Sequence, residues 1–271
     1  MLVAILLSTY NGEKYISELL DSVLSQTHQT FHIYISDDGS TDHTMEIINS
    51  YALRTNKISI VNDTAKRQGA CMSFMRLLSL IDADYYFFCD QDDIWLPTKI
   101  EKCLKRAELF PKNAPVLIHT DLVVVDESLN TIHSSFWNFN KTCKEDFNSF
   151  NFHCAYNNIP GCSMMINKFA RDLSFPAPSS IKMHDAWITL VISFHNGVME
   201  KIDEPLILYR QHVNNTIGAK KTRSILQKIL NLNSIIKENY NLFITVNALK
   251  KTNIPFFLSN KIKVYLNLKK R

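Results

Sequence analysis

The sequence predicts an α/β fold with a mainly parallel central sheet flanked by helices, followed by a basic helical segment. In the first hundred residues, short apolar strands alternate with stretches of helical spacing, which is typical of β-α-β units joined by right-handed crossovers. From Lys220 onward, twelve Lys and Arg residues and one acid, Glu238, are interleaved with apolar residues. We therefore expect one domain over 1–218 and a basic amphipathic helical region over 219–271.

The first four strands are indicated by apolar runs that lack a polar face. Such runs are typical of strands covered on both sides. They lie at Leu2–Leu7, Phe31–Ile35, Ile58–Val61 and Tyr85–Cys89. Apolar residues at helical spacing fill each interval, as in the series Phe74, Leu77, Leu78 and Ile81.

The second half of the domain has a weaker pattern. Pro97 suits the first turn of a helix, Val116–Val125 predicts one or two strands, and Pro205–Tyr209 predicts the last. Between them, residues 126–160 are irregular and rich in Phe. A loop of this length is either a functional lid or an excursion that packs on the core.

Composition narrows the class of protein. The chain of 271 residues has no apolar run near the roughly eighteen residues of a membrane span. Met1–Leu7 lacks a basic flank and is better interpreted as a first strand than as a signal peptide. The six cysteines form no C-x-x-C pair, so we expect free thiols and a cytoplasmic protein.

Polar segments follow three of the predicted strands. They are Ser8–Gly12, Ser36–Asp42 and Asp90–Asp93, and ligands of parallel sheets collect at this edge. Asp90 and Asp92, two residues apart, can point the same way and share a divalent cation. The alternative is an acidic surface turn. Because glycine-rich phosphate loops are missing from the sequence, a nucleotide diphosphate would be held through a metal and side chains.

These motifs together resemble the family 2 glycosyltransferases of GT-A fold, a Rossmann-like α/β fold. The segment Phe87–Lys99, with Met183–Trp187 and Tyr209–His212, is similar to bacterial rhamnosyltransferase-like members. The resemblance covers about residues 1–218. Each motif is weak alone, but their order along the chain is specific.

The resemblance implies a donor site for a nucleoside-diphosphate sugar. Either Asp37 or Asp38 would contact the base or ribose, and turn formation is the alternative for this segment. The residues expected to contact the donor nucleotide are Ser8, Thr9, Tyr10, Asn11, Asp37, Asp38, Gln68, Asp90 and Gln91.

The resemblance also implies a Mn²⁺ or Mg²⁺ cofactor bound to an aspartate-x-aspartate motif. Asp92 would be the principal ligand, assisted by Asp90 and by His212, and the metal would neutralise charge on the diphosphate leaving group. Arg210 would clamp the diphosphate. For Arg210 and His212, a role as ordinary surface polar residues stays open.

On the acceptor side, Asp185 is the candidate general base, with helix capping through Trp187 as the alternative. An inverting transfer needs a carboxylate that takes the proton of the attacking hydroxyl. The residues expected to line the acceptor are Trp95, Gly161, Cys162, His184 and Trp187. Gly161 would leave room for a sugar, and the two Trp rings would stack on sugar faces unless they pack in the core.

The resemblance thus implies a metal-dependent inverting glycosyltransferase. Its donor would be dTDP-rhamnose or a UDP-sugar, and its acceptor a lipid-linked oligosaccharide of a growing bacterial surface polysaccharide. The basic end region would bind an anionic membrane surface at the inner face of the cytoplasmic membrane, or pack on the catalytic domain. A metal-dependent phosphohydrolase and a non-catalytic nucleotide-sugar-binding module are the rival hypotheses, and nucleic acid is not an expected partner.

Overall fold

The computed structural model describes residues 1–61, 68–140, 149–212 and 232–269. In this part of the chain, strands and helices alternate through the first hundred residues, as the sequence predicts. The predicted boundary at 218/219 lies outside the described residues.

Nine strands in the described ranges form a single sheet. Their bounds are β1 (Val3–Thr9), β2 (His32–Asp37), β3 (Ile58–Ile60), β4 (Tyr85–Asp90), β5 (Ile94–Trp95), β6 (Val116–Val125), β7 (Thr131–His133), β8 (Met164–Asn167) and β9 (Val198–Arg210).

Ten helices accompany the strands in the described ranges. Their bounds are α1 (Ile16–Leu24), α2 (Thr44–Ala52), α3 (Ala70–Leu80), α4 (Lys99–Ala107), α5 (Phe136–Asn140), α6 (Phe150–His153), α7 (Lys168–Leu173), α8 (His184–Phe194), α9 (Leu232–Leu249) and α10 (Ile254–Lys269). A 3₁₀ turn over Gly161–Ser163 leads into β8.

The sheet is parallel in its first half and mixed in its second half. The strand order is β3-β2-β1-β4-β8-β6-β9-β5, with β7 paired to β6. β1 to β4 pair in parallel, whereas β8 is antiparallel to both of its neighbours, β4 and β6. The expectation of a mainly parallel sheet therefore holds for the first four strands. Beyond them the sheet is mixed: β6 and β9 also pair in parallel, whereas β8, which follows a short 3₁₀ turn, and β5 pair in the antiparallel sense.

The core lies on both faces of this sheet, as the continuous apolar strands predict. Val3, Ile5 and Leu7 of β1 belong to one cluster, which also contains apolar residues of α1, α2 and α4. Ala4 and Leu6 point to the other face, where residues of α3, α8, α9 and α10 pack. The alternation follows from the two-residue period of a strand.

The region between β7 and β8 packs on the body at two of its aromatic residues. Trp137 of α5 and Phe152 of α6 are buried, in line with the packing alternative for residues 126–160. Residues 141–148 of this region lie outside the described part of the chain. A lid function stays a prediction.

The two last helices also contact the body. Val246 of α9 and Phe257 of α10 are buried in the cluster around α8, so one side of this helix pair packs on the body of the protein. No helix within the described ranges combines the length and the apolar character that crossing a membrane requires.

Candidate active site

The three predicted polar segments converge at one edge of the sheet. Ser8 lies opposite Ser36 on β2 and opposite Asp90 on β4, and Thr9 lies opposite Asp37. The parallel register therefore places the ends of β1, β2 and β4 side by side. The three segments therefore meet at the edge where parallel sheets collect ligands, as the sequence pattern predicts, and we call the space that they border the cleft.

Asp37 and Asp38 organise the two loops that border this cleft. Asp37 Oδ2 accepts hydrogen bonds from the backbone N–H of Gly39 and Ser40 at 3.0 and 2.8 Å, and Oδ1 accepts one from Thr9 Oγ1 at 3.0 Å. Asp38 accepts the N–H groups of Gln68 and Gly69, both at 2.8 Å. Asp37 is half-buried and Asp38 is buried, so Asp37 is the more accessible of the two to a ligand.

The loop after β1 is held by side chains that were expected to contact the nucleotide. Gln91 accepts from the Tyr10 N–H and donates to the Tyr10 carbonyl, each at 2.9 Å. Asn11 has a positive φ of 46°, and its Oδ1 accepts the N–H of Thr41 at 2.8 Å. These contacts fix the loop, while the Tyr10 side chain stays exposed at the cleft. Contact of these residues with a nucleotide stays a prediction.

Three carboxylates crowd the end of β4. Ligand atoms of Asp90, Asp93 and Cys162 lie within 4.8 Å of one another, and Asp92 follows Asp90 by two residues. Asp93 is fully buried, and its Oδ1 accepts the Arg210 N–H at 3.2 Å. Asp93 was not among the predicted site residues, although it is the third carboxylate of the same acidic run.

The carboxylates disfavour one another's ionised form. Burial, together with the charges of Asp92 and Asp185, raises the pKa of Asp90 to about 7. Burial and the charges of Asp92 and Asp90 also hold the pKa of Asp93 well above its usual range. Because a cation would relieve this repulsion, the cluster is suited to one.

The last strand completes the cluster from a distant part of the chain. β5 pairs with β9, with Ile94 opposite Leu208, and this pairing brings His212 to Asp92. His212 Nε2 lies 2.7 Å from Asp92 Oδ2, and the imidazole stacks on the Tyr15 ring at 4.9 Å between centroids. The predicted pairing of His212 with the acidic motif is therefore present in the geometry.

Arg210 does not have the predicted role of a diphosphate clamp. Its side chain is buried and binds the protein through all three guanidinium nitrogens. Nε donates to the carbonyl of Asp92 and Nη1 to that of Glu127, each at 2.8 Å, and Nη2 pairs with Glu18. The prediction is wrong because these protein acceptors already engage the cation. Arg210 instead holds the acidic loop in place.

Asp185 lies at the start of α8, facing the cluster. It is buried, and burial raises the pKa of its carboxyl to about 6. Its Oδ1 accepts the N–H of Ala186 at 2.6 Å, and the backbone of Gly161 and the side chain of Asn157 favour the ionised form. The N-cap is Met183, which also accepts the Trp187 N–H through its carbonyl, so capping through Trp187 is not the role of Asp185.

The two tryptophans expected to stack on acceptor sugars are core residues. Trp95 is 2% exposed, and Lys99 Nζ lies 3.4 Å from the centroid of its ring. Trp187 is 3% exposed and donates from Nε1 to the Ser174 carbonyl at 2.9 Å. The acceptor prediction is wrong for both because their ring faces are covered by protein.

The small-residue segment does not leave room for a sugar either. A Cβ on Gly161 would lie 2.4 Å from His184 Nε2, so the imidazole occupies the space that the missing side chain provides. His184 is buried against Phe74 and Phe88, and burial lowers its pKa to about 3. Cys162 is also buried, at the back of the carboxylate cluster. The acceptor prediction is wrong for these three residues because all of them are buried.

Substituting Gly161 tests this close contact. We expect Gly161→Ala to lower the free energy of unfolding by about 1–3 kcal/mol, because the new methyl group overpacks against His184. Chemical denaturation measures the change. In a His184→Ala background the same substitution should be much less costly, and an equal cost in both backgrounds would contradict the assignment.

Lys99 is a further residue that the sequence did not reveal. It is fully buried on the first turn of α4, and its Nζ donates to the carbonyl of Cys162 at 2.8 Å. The positive charge therefore lies behind Asp90 and Asp93 and opposes their repulsion, while burial lowers the pKa of the amine. Lys is rarely buried, so no local signal distinguished Lys99 from the surface lysines of α4.

The arrangement combines two chemical functions in one cleft. Clustered carboxylates with an adjacent imidazole can hold a divalent cation, and Asp185 supplies a separate carboxylate with a pKa suited to proton transfer. The charge of Asp185 contributes to the raised pKa of Asp90, so the two carboxyl groups lie near each other. Such a cleft suits a metal-bound diphosphate on one side and a hydroxyl nucleophile on the other.

Comparison with known proteins identifies the family to which the chain belongs. Residues 4–173 match the family model "Glycosyl transferase family 2". A dTDP-rhamnosyl transferase, RfbG of Shigella flexneri, is 32% identical over 231 residues, covering 79% of this chain and 74% of that protein. An uncharacterised glycosyltransferase of Nostoc is 30% identical over 133 residues, covering 49% of this chain and 40% of that protein.

Solved structures agree in fold. TarS of S. aureus in complex with UDP-GlcNAc has a TM-score of 0.62 at 18% identity, covering 98% of this chain and 73% of that one. The mannosyltransferase PcManGT of Pyrobaculum calidifontis, in complex with GDP-Man and Mn²⁺, has a TM-score of 0.61 at 16% identity, covering 97% and 69%. With its mixed α/β sheet of GT-A type, the chain belongs to glycosyl transferase family 2, whose members are nucleotide-sugar-dependent glycosyltransferases.

Proposed function

We propose that the protein is a divalent-metal-dependent, inverting glycosyltransferase. It would move a sugar from a nucleoside diphosphate to a hydroxyl group of a lipid-linked oligosaccharide, during synthesis of a bacterial surface polysaccharide at the cytoplasmic face of the membrane. The observation that carries the proposal is the pairing of a crowded carboxylate cluster with a separate buried carboxylate, Asp185, in one cleft. The five cysteines among the described residues are free, which supports a reducing compartment.

The donor set fits a hard divalent cation. Asp90 and Asp92 offer carboxylate oxygens, and His212 offers an imidazole that already contacts Asp92. Cys162 is a poorer ligand for Mn²⁺ or Mg²⁺, because burial keeps the pKa of its thiol well above the usual range and the thiol therefore protonated. When bound, the cation would neutralise charge that develops on the departing diphosphate.

The protein groups have distinct tasks in the transfer. The acceptor oxygen forms a bond to the anomeric carbon as the bond from that carbon to the diphosphate oxygen breaks, and Asp185 takes the proton of the acceptor hydroxyl. Attack from the face opposite the leaving group inverts the configuration. The N–H of Ala186 fixes the Asp185 carboxylate for this task.

The donor base would be recognised at the ends of β1 and β2. Asp37 is half-buried there beside Thr9, and Tyr10 presents an exposed ring that can cover a nucleoside. The similar Shigella protein is named a dTDP-rhamnosyl transferase, so dTDP-rhamnose is the first candidate donor. UDP-sugars come next, since similar TarS structures contain UDP-GlcNAc and UDP.

A thermal-shift screen tests donor and metal together. We expect dTDP with Mn²⁺ to raise the melting temperature more than UDP or GDP does, and each nucleotide to have a smaller effect without the metal, because the diphosphate binds through the cation. A nucleotide effect that is equal with and without Mn²⁺ would contradict the metal-dependent proposal. A larger effect of UDP would replace dTDP as the donor base and leave the rest of the proposal unchanged.

A further inference from the structure

Helices α9 and α10 form an antiparallel pair with one side free of the body. The Phe243 and Phe257 rings lie 5.6 Å apart, and Lys261 bonds Asn239. Asn239 precedes Phe243 on α9, whereas its partner Lys261 follows Phe257 on α10. The two helices therefore run in opposite directions. Val246 and Phe257 pack into the core, which orients the pair on the domain.

Each helix also carries a stripe of exposed apolar residues. On α9 it comprises Ile236, Tyr240 and Ile244, which are 58%, 57% and 38% exposed. On α10 it comprises Leu258, Ile262, Tyr265 and Leu266, which are 45%, 58%, 47% and 52% exposed. The spacing of three or four residues keeps each stripe on a single face of its helix.

The two stripes lie on the same side of the helix pair. On α9, Tyr240 and Ile244 directly follow the contact residues Asn239 and Phe243. On α10, Leu258 and Ile262 directly follow the contact residues Phe257 and Lys261. One residue corresponds to about 100° of rotation, and in antiparallel helices these rotations turn both stripes toward the same side. This side is directed away from the body. We call the seven stripe residues together the outward face.

Positive charge accompanies the outward face. Residues 232–269 contain six lysines and a single acid, Glu238. Lys237 and Lys263 are exposed at the two outer margins of the pair, and Lys251 is exposed in the connection between the helices. Glu238 precedes the contact residue Asn239 on α9, so helical rotation places it on the opposite side from the stripe.

We propose that the outward face binds the surface of an anionic lipid bilayer. Apolar residues on one plane with lysines at the margins are the pattern of an interfacial helix, and the two Tyr side chains suit the headgroup level. A symmetric dimer through the same face would bring its lysine margins toward one another, whereas anionic headgroups neutralise them. The proposal is independent of the donor and of the metal.

Vesicle co-sedimentation of the full chain tests this surface. We expect binding to vesicles of phosphatidylcholine mixed with phosphatidylglycerol, weaker binding to phosphatidylcholine alone, and loss of the difference at high salt. The double variant Ile236→Ser/Ile262→Ser should reduce the partition coefficient roughly tenfold or more, since it removes apolar area from the face that would enter the lipid interface. Lys237→Gln/Lys263→Gln should reduce it about fivefold for each lysine.

A matched control distinguishes binding through the outward face from non-specific hydrophobic adsorption to vesicles. Leu53 and Leu109 are 90% and 71% exposed on the catalytic domain, and Leu53→Ser/Leu109→Ser removes exposed apolar area elsewhere. This variant should bind vesicles like the parent protein. The proposal would be overturned if the Leu53/Leu109 variant lost as much vesicle binding as the Ile236/Ile262 variant, or if binding did not depend on lipid charge. It would also be overturned if the parent protein were a dimer that the Ile236/Ile262 variant dissociates. Because these side chains are exposed, circular dichroism should show unchanged folding.

Discussion

Asp185→Asn is expected to slow sugar transfer about 10²–10⁴-fold while leaving donor binding unchanged. The substitution keeps the size of the side chain but removes the carboxylate that accepts the proton of the acceptor hydroxyl. Donor affinity should survive because, in the proposed site, the diphosphate would be held at the end of β4 and not by Asp185. Single-turnover transfer measures the rate, and calorimetric titration with the donor nucleotide measures the affinity.

The pH dependence gives this prediction a second readout. Burial raises the pKa of Asp185 to about 6, so in the wild type the carboxyl becomes protonated, and the rate should fall, as pH decreases through this value. Asp172→Asn is the matched control, because Asp172 is half exposed and pairs with Arg171 outside the cleft. Full activity of Asp185→Asn, or a parallel loss of donor binding, would assign the proton transfer to another group.

Asp92→Asn is expected to weaken metal-dependent transfer strongly without destabilising the metal-free fold. The substitution replaces the carboxylate of a proposed ligand by a neutral amide, so the concentration of Mn²⁺ for half-maximal activity should increase by roughly tenfold or more. It also removes a charge that raises the pKa of both Asp90 and Asp93, which relieves repulsion in the cluster. Metal titration of activity and thermal unfolding without metal measure the two effects.

This combination separates a lost ligand from a damaged fold. Asp82→Asn makes the same chemical change near the opposite end of β4, at a residue whose side chain is 74% exposed and pairs with Lys168. It should affect neither the metal requirement nor the rate. A metal requirement of Asp92→Asn that matches the wild type would show that the cation, if used, is held by other groups.

The first half of the fold could be predicted because its signals are local. β1, β2, β3 and β4 each coincide with an apolar run, and helical periodicity fills the intervals. The second half depends on which distant strands pair. Nothing within Met164–Asn167 indicates that this short strand inserts between β4 and β6 in the antiparallel sense. That choice is made by tertiary packing, which a periodic pattern does not encode.

In the candidate site, too, local signals supported predictions, whereas roles that depend on distant contacts were missed. Asp90 and Asp92 could be proposed from the sequence because carboxylates at the end of a buried strand are conspicuous there. Arg210 was assigned to the wrong task because its acceptors, the carbonyls of Asp92 and Glu127, come from other parts of the chain. The tryptophans failed similarly, since burial of a ring depends on neighbours that sequence spacing does not identify.

The pairing of β5 with β9 determines when the contacts of the acidic loop can form during synthesis of the chain. Arg210 and His212 reach Asp92 across 118 and 120 residues of chain, so the acidic loop acquires these partners only after the last strand has left the ribosome. A nascent chain that ends before Val198 would already contain Asp90, Asp92 and Asp185 but would lack the strand that holds Asp92 in place. Assembly of the proposed metal site is thus coupled to synthesis of β9 and the residues that follow it.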